Sequence, residues 1–250
     1  MAVCRAFRPL LAAAGLVALL LPASDARANV AVLELFTSQG CSSCPPADAL
    51  MGTLADRPEV IALSLPIDYW DYLGWKDSFA DPAHTARQRG YAASRGDRMV
   101  FTPQIIVNGE TSVVGNKQAD VEAAIAEAAS SGVSVDLASA DDMLTITLST
   151  ASLPTAESGA KVRILLLGYS DTEEVQIGRG ENAGRAVTYH NVVRKIVDLG
   201  TWDGDGKTLT VSTDRMGTVA KGITGCAVLV QEVGADGPGR ILGAAQVSEL

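Results

Sequence analysis

Two rhythms of apolar and polar positions divide the chain. Up to about residue 131, unbroken apolar runs alternate with helical stripes. "NVAVLELFTS", Asn29 to Ser38, is an almost continuous β-favouring run of the kind that forms a strand buried on both faces. In "ADALMGTLADRPEV", Ala47, Leu50, Met51 and Leu54 recur at helical spacing, and Pro58 ends the pattern. "VIALSLPIDYW" returns to a strand. "DPAHTARQRGYAASRG" reads as a second helix, with Asp81 as N-cap, Pro82 in the first turn and Gly96 beyond the end. "MVFTPQIIVNGETSVVG" places two β runs around Asn108-Gly109, a strong hairpin signal, and "NKQADVEAAIAEAAS" is an amphipathic helix. The order β-α-β-α-β-β-α predicts a right-handed parallel crossover and an antiparallel edge.

Beyond Gly132 the helical stripes vanish. "VSVDLAS", "MLTITLST", "KVRILLLGYS", "EEVQIGRG", "RAVTYHNVVRKIVDLGTW", "KTLTVST", "GCAVLVQEV" and "ILGAAQVSE" are β runs separated by Gly, Asp, Asn and Pro. This spacing predicts an all-β antiparallel, sandwich-like domain of about eight strands. The boundary between the two halves falls near Ser130 to Ser134, giving domains over 29–131 and 133–250.

The first 28 residues fit neither rhythm. Arg5 and Arg8 precede an apolar run from Leu10 to Leu21, and Ala26-Arg27-Ala28 supplies small residues two apart. That layout is a secretory signal peptide, which predicts a periplasmic or secreted chain beginning at Asn29. Cys4 stands far upstream of the cleavage point, so no lipid or membrane anchor is expected. The chain carries a formal net charge of −9, and losing the leader makes it more acidic. This argues against nucleic acid or anionic membrane as a partner.

Three cysteines then remain: Cys41, Cys44 and Cys226. In an oxidising compartment, the close pair in "GCSSCPP" is expected as a disulfide. The preceding strand and following helix put it where a helix dipole lowers a thiol pKa. Cys41, nearer the loop, is the expected exposed nucleophile, and Cys44 the resolving thiol. Pro45 and Pro46 fit a first helical turn capped by Ser43 or Cys44. A structural staple is a weaker reading, because so short a loop restrains little of the unfolded chain. Zinc lacks a second ligand pair, whereas two thiolates and a histidine would suit Cu(I). No other cofactor is called for.

A CxxC after the first strand and a Thr-Pro before the third strand resemble the thioredoxin fold. The resemblance implies that Pro103 is a cis-proline opposite the cysteines and that the Thr102 backbone receives a peptide strand. More specifically, "LELFTSQGCSSCPPADAL", "DYWDYLGWKD", "ARQRGYA", "FTPQIIVNG" and "RGENAGRAVTYHNVV" are similar to a secreted bacterial thioredoxin-like family of unknown function. That family joins a thioredoxin-like half to an all-β half. The chain departs from thioredoxins in having Gly40 where a Trp is usual, Ser42-Ser43 between the cysteines, and the double proline after them.

Further candidates follow from clustering. Tyr69, Trp70, Tyr72 and Trp75 crowd one segment after the second strand, at the end of the sheet that carries the CxxC. They read either as a wall of a substrate groove, with Asp68 or Asp71 near the sulfurs, or as a loop pinned by aromatic packing. "RGENAGRAVTYHN" offers Arg179, Asn182, Arg185 and His190 to a carbonyl or carboxylate, or forms a hairpin in which Tyr189 and His190 are strand residues. His84 is expected on the surface of the second helix, and Cys226 in a buried strand. The function expected is an exported thiol-disulfide oxidoreductase acting on protein or small thiols of the cell envelope. The competing expectation is a non-catalytic binding module or a Cu(I) carrier.

Overall fold

The structure, a computed structural model, describes residues 30–128, 132–150, 152–153, 159–217 and 222–250. The expected leader and part of the expected domain boundary lie outside them. Among the described residues no helix is long and apolar enough to cross a membrane.

The first half follows the predicted order. It comprises β1 (Ala31–Thr37), α1 (Pro45–Ala55), β2 (Val60–Pro66), α2 (Pro82–Arg95), β3 (Gln104–Val107), β4 (Thr111–Val114) and α3 (Gln118–Glu127), with a short 3₁₀ turn at Asp71–Leu73. Strands β1 and β2 run parallel, Ala31 opposite Val60, and β3 joins β1 antiparallel. Asn108 and Gly109 take the positive φ values of 49° and 75° that a tight hairpin turn demands.

The second half contributes β5 (Val133–Ala140), β6 (Met143–Thr150), β7 (Lys161–Gln176), β8 (Ala186–Trp202), β9 (Lys207–Ser212), β10 (Gly225–Val233) and β11 (Pro238–Val247). "KVRILLLGYS" and "EEVQ" fuse into the single long strand β7. The described strands form a mostly antiparallel eight-stranded sheet, β11-β10-β7-β8-β2-β1-β3-β4, and a three-stranded sheet, β5-β6-β9.

This corrects the expectation of a separate β sandwich. Four strands of the second half extend the sheet of the first, through a parallel bridge between Ser64 of β2 and Val192 of β8. The reason lies in β2. All seven of its residues are buried, so an open outer edge would present unpaired backbone groups inside an apolar surround. Side chains reinforce the seam: the Ser64 hydroxyl donates to His190 O at 2.8 Å, and Asn191 Nδ2 donates to Ala62 O at 2.9 Å.

Alternation along β1 then divides the core. Val32 and Phe36 join Leu63, Leu65, Leu167 and Leu229 on one face, whereas Leu33 and Leu35 meet Met51, Leu54 and Val121 of α1 and α3 on the other. A further cluster, including Leu144, Ile146, Ile164 and Val228, fills the space between the small sheet and the large one. Cys226 is a buried free thiol on β10, as its β run predicts.

His84 is a second correction. It is 2 % exposed, and its Nδ1 lies 2.9 Å from Pro66 O. The buried face of α2 is polar because it meets polar groups beyond the end of β2 and ahead of β3: Thr85 bonds Asp68, and Gln88 bonds Phe101 O. Burial drives the His84 pKa down.

Candidate functional site

Strand β1 ends at Thr37, and the chain turns through Ser38–Cys44 before α1 begins at Pro45. Cys41 and Cys44 form a disulfide across that turn. Cys44 N donates to Cys41 O at 3.2 Å, and Cys44 O receives the amides of Ala47 and Asp48. Cys44 therefore occupies the N-cap, and the two prolines fill the first turn of the helix. They also modify the expected electrostatics. Neither proline has an N–H, so two donors that would face the sulfurs are missing, and the dipole acts without them. Cys41, expected at the surface, is 6 % exposed and Cys44 fully buried; Ser42 and Ser43 form the exposed tip.

Thr102-Pro103, which is cis, lies against this turn. The Ser43 hydroxyl donates to Thr102 O at 3.4 Å, and Asn116 Nδ2 reaches Ser43 O at 3.2 Å. Trp70 Nε1 donates to Thr102 Oγ1 at 2.8 Å, which brings Trp70 to the rim. A Cβ on Gly40 would sit 3.2 Å from Trp70 O, so the residue before Cys41 has little room for a side chain.

The other candidates separate. Tyr69 hydrogen-bonds Gln88 and packs on the core, while Tyr72 is exposed beside Trp70, ring centroids 6.1 Å apart. Trp75 braces the loop from below, its Nε1 donating to Gln39 Oε1 at 2.8 Å. Asn182 Nδ2 donates to Gln39 O and Cys41 O, so the segment joining β7 to β8 does reach the cysteine turn. Arg185 is exposed at the end of that segment. His190 is not brought to the sulfurs: its ring covers Gly52, eight residues along α1 from Cys44 and about 12 Å up the helix axis.

Asp68 and Asp71 are likewise engaged elsewhere, with Thr85 and with the Asp77 amide. Two other carboxyl groups lie under the turn. Asp77 Oδ2 accepts from Gln39 N at 2.8 Å, and burial pushes its pKa up to about 6. Asp48 Oδ1 accepts from the Thr37 hydroxyl at 2.7 Å, and Oδ2 has no partner. Burial, with a smaller push from the Asp77 charge, outweighs the Thr37 hydrogen bond and raises the Asp48 pKa to about 8. Asp48 therefore holds a proton at neutral pH. Both carboxyl groups raise the pKa of buried Tyr189, although desolvation is the larger cause. An acidic residue in a first helical turn ordinarily reads as exposed, which is why Asp48 escapes a sequence reading.

Among the described residues there is no group of three or more His, Cys, Asp or Glu side chains able to hold a metal.

With this geometry in place, comparison with known proteins gives a family. The model for a protein of unknown function, DUF1223, matches residues 32–231. The chain belongs to this family. The DUF1223 chain is also similar to a crystal structure of a protein from Agrobacterium tumefaciens, solved by structural genomics. The two are 33 % identical with a TM-score of 0.75, over 88 % of this chain and 94 % of that one. A structure of HBP35 of Porphyromonas gingivalis is similar at 14 % identity and a TM-score of 0.58, over 89 % and 76 % of the two chains, a likeness of fold alone. No curated protein matches the DUF1223 chain.

Proposed function

We propose that this chain is an exported, thioredoxin-like thiol-disulfide oxidoreductase of the cell envelope. The observation that carries the reading is the Cys41–Cys44 disulfide at the start of α1 with Thr102-Pro103 against it. A partner thiolate attacks the Cys41 sulfur, the Cys41–Cys44 bond breaks, and Cys44 leaves as a thiolate that takes up a proton. A second partner thiol, deprotonated, then attacks the mixed disulfide and releases Cys41. Two electrons and two protons pass from partner to protein, and the partner becomes a disulfide. Run backwards, the same steps reduce a partner.

Asp48 supports this reading, because it lies one helical turn from Cys44 on the same face and carries a buried proton. Trp70 and the Thr102 backbone form the rim on which a polypeptide would lie.

The test is a Cys44→Ser variant expressed in the native compartment. Mixed disulfides between Cys41 and envelope proteins, released by reductant, are the expected result. No trapped partner, together with a potential far below about −300 mV, would sink the enzyme reading, because structural disulfides occupy that range. In that case the chain would be a binding module with a stapled turn.

A further inference from the structure

Asn182 stands 138 positions beyond Cys44 in the sequence, yet its side chain is a fixture of the cysteine turn. It is 1 % exposed, and Nδ2 donates to Gln39 O at 3.0 Å and to Cys41 O at 2.8 Å. The segment around it is built as a closed loop. Ile177 N bonds Arg185 O at 2.9 Å, Gly184 N bonds Ile177 O at 2.7 Å, and Gly180 and Gly184 take φ values of 78° and 80°. Trp75 packs this loop against the turn: Cβ atoms placed on Gly178 and Gly180 would each lie 3.3 Å from it. Asp77 in turn holds the Gln39 amide. The backbone leading into Cys41 is thus gripped at a donor and at two acceptors by side chains from elsewhere in the fold.

We infer that Asn182 is a positioning residue for the Cys41–Cys44 pair, through which the second half of the chain sets the balance between disulfide and dithiol. A dithiol closes readily when its backbone already keeps the sulfurs near one another, because their effective concentration is then high. Holding the Gln39 and Cys41 carbonyls restricts the reduced turn to such conformers. Releasing them lets the reduced turn spread, and the disulfide loses its advantage. The biological use of this device rests on the exchange reading, whereas its measurement does not.

The experiment equilibrates full-length wild type, Asn182→Ala and Asn182→Ser with mixtures of reduced and oxidised dithiothreitol. The reductant closes to its own disulfide as Cys41–Cys44 opens, and acid quenching followed by thiol tagging gives the ratio. The Ala variant should hold its disulfide about tenfold less strongly, which is about 30 mV upward. The Ser variant, too short to reach both carbonyls, should lie in the same direction and gives the reading if the Ala variant fails to fold. An unmoved potential, with both redox forms destabilised equally, would make Asn182 an ordinary loop anchor and overturn the inference; a downward shift would overturn it too. The Cys44→Ser trap is independent. Failure to trap a partner, together with a wild-type potential far below about −300 mV, removes exchange and leaves the positioning role, while a trapped partner with an unmoved potential does the opposite.

Discussion

The Thr37 hydroxyl donates to Asp48 Oδ1 across the junction between β1 and α1, and the other carboxyl oxygen of Asp48 faces no partner at all. A protonated acid in that position makes stability depend on pH. The folded protein keeps the Asp48 proton until about pH 8, whereas an unfolded aspartate releases it near 3.8. Between those values the folded state binds the extra proton, so stability falls as pH rises and levels off above 8. Asp77 adds a smaller effect of the same sign below about pH 6. His84, with its pKa lowered, acts oppositely on the acid side. Asp48→Asn should cancel the first effect alone. Urea unfolding at pH 5 and pH 8 should show the variant gaining on wild type, by on the order of a few kcal/mol at pH 8. Parallel pH profiles of the two proteins would refute the assignment.

A second prediction concerns the sheet's buried ion pair. Arg87 pairs with fully buried Glu34 through both Nε and Nη2, and Tyr91 also bonds Glu34. Arg87→Met leaves the carboxylate uncompensated in the core. Denaturation should report a loss of about 3–5 kcal/mol, and a double change that also replaces Glu34 by an apolar residue should recover most of it.

Gly52 offers a test of the contact between α1 and β8. Alanine in a helix interior normally gains up to about 1 kcal/mol over glycine. Here the added methyl would lie 2.6 Å from His190 Nε2. The half-buried His190 ring must swing aside, so Gly52→Ala should forfeit the helix gain and lose at most about 1 kcal/mol. Combined with His190→Ala it should regain that loss, which a thermal-melt double-mutant cycle would show.

Cys226 should be chemically silent. Its thiol is buried on β10 and pushed up to about 12 by desolvation. Iodoacetamide applied to the native protein, followed by peptide mapping, should leave Cys226 unmodified, and labelling should appear only on unfolding. Ready modification in the native state would contradict the burial.

Much of this architecture is legible in the chain. The apolar run into Phe36, the Asp81 and Gly96 signals around α2, and the Asn108-Gly109 turn each mark an element whose cause is local. What escapes is nonlocal. The Ser64–Val192 bridge joins residues whose own neighbourhoods say only "strand", and nothing near β2 states which strand will cover it. His84 looks like a surface histidine because the carbonyl that receives it belongs to another element. Around the cysteines, the pair itself is plain in the sequence, but Asp48 becomes unusual only when the strands and Tyr189 close over it. Asn182 announces a polar loop and not the carbonyls it will hold.

The bridge between Ser64 and Val192 also orders events in time. Strand β2 leaves the ribosome well before β8 exists, and its buried edge must wait for more than half of the chain. Until then an apolar strand with unmatched amides is open to any neighbouring chain. Cys41 and Cys44 emerge earlier still, before their brace at Asn182 has been synthesised. The pair therefore precedes its brace, and a chain ending before Asn182 would carry the cysteines without the side chain inferred to set their balance.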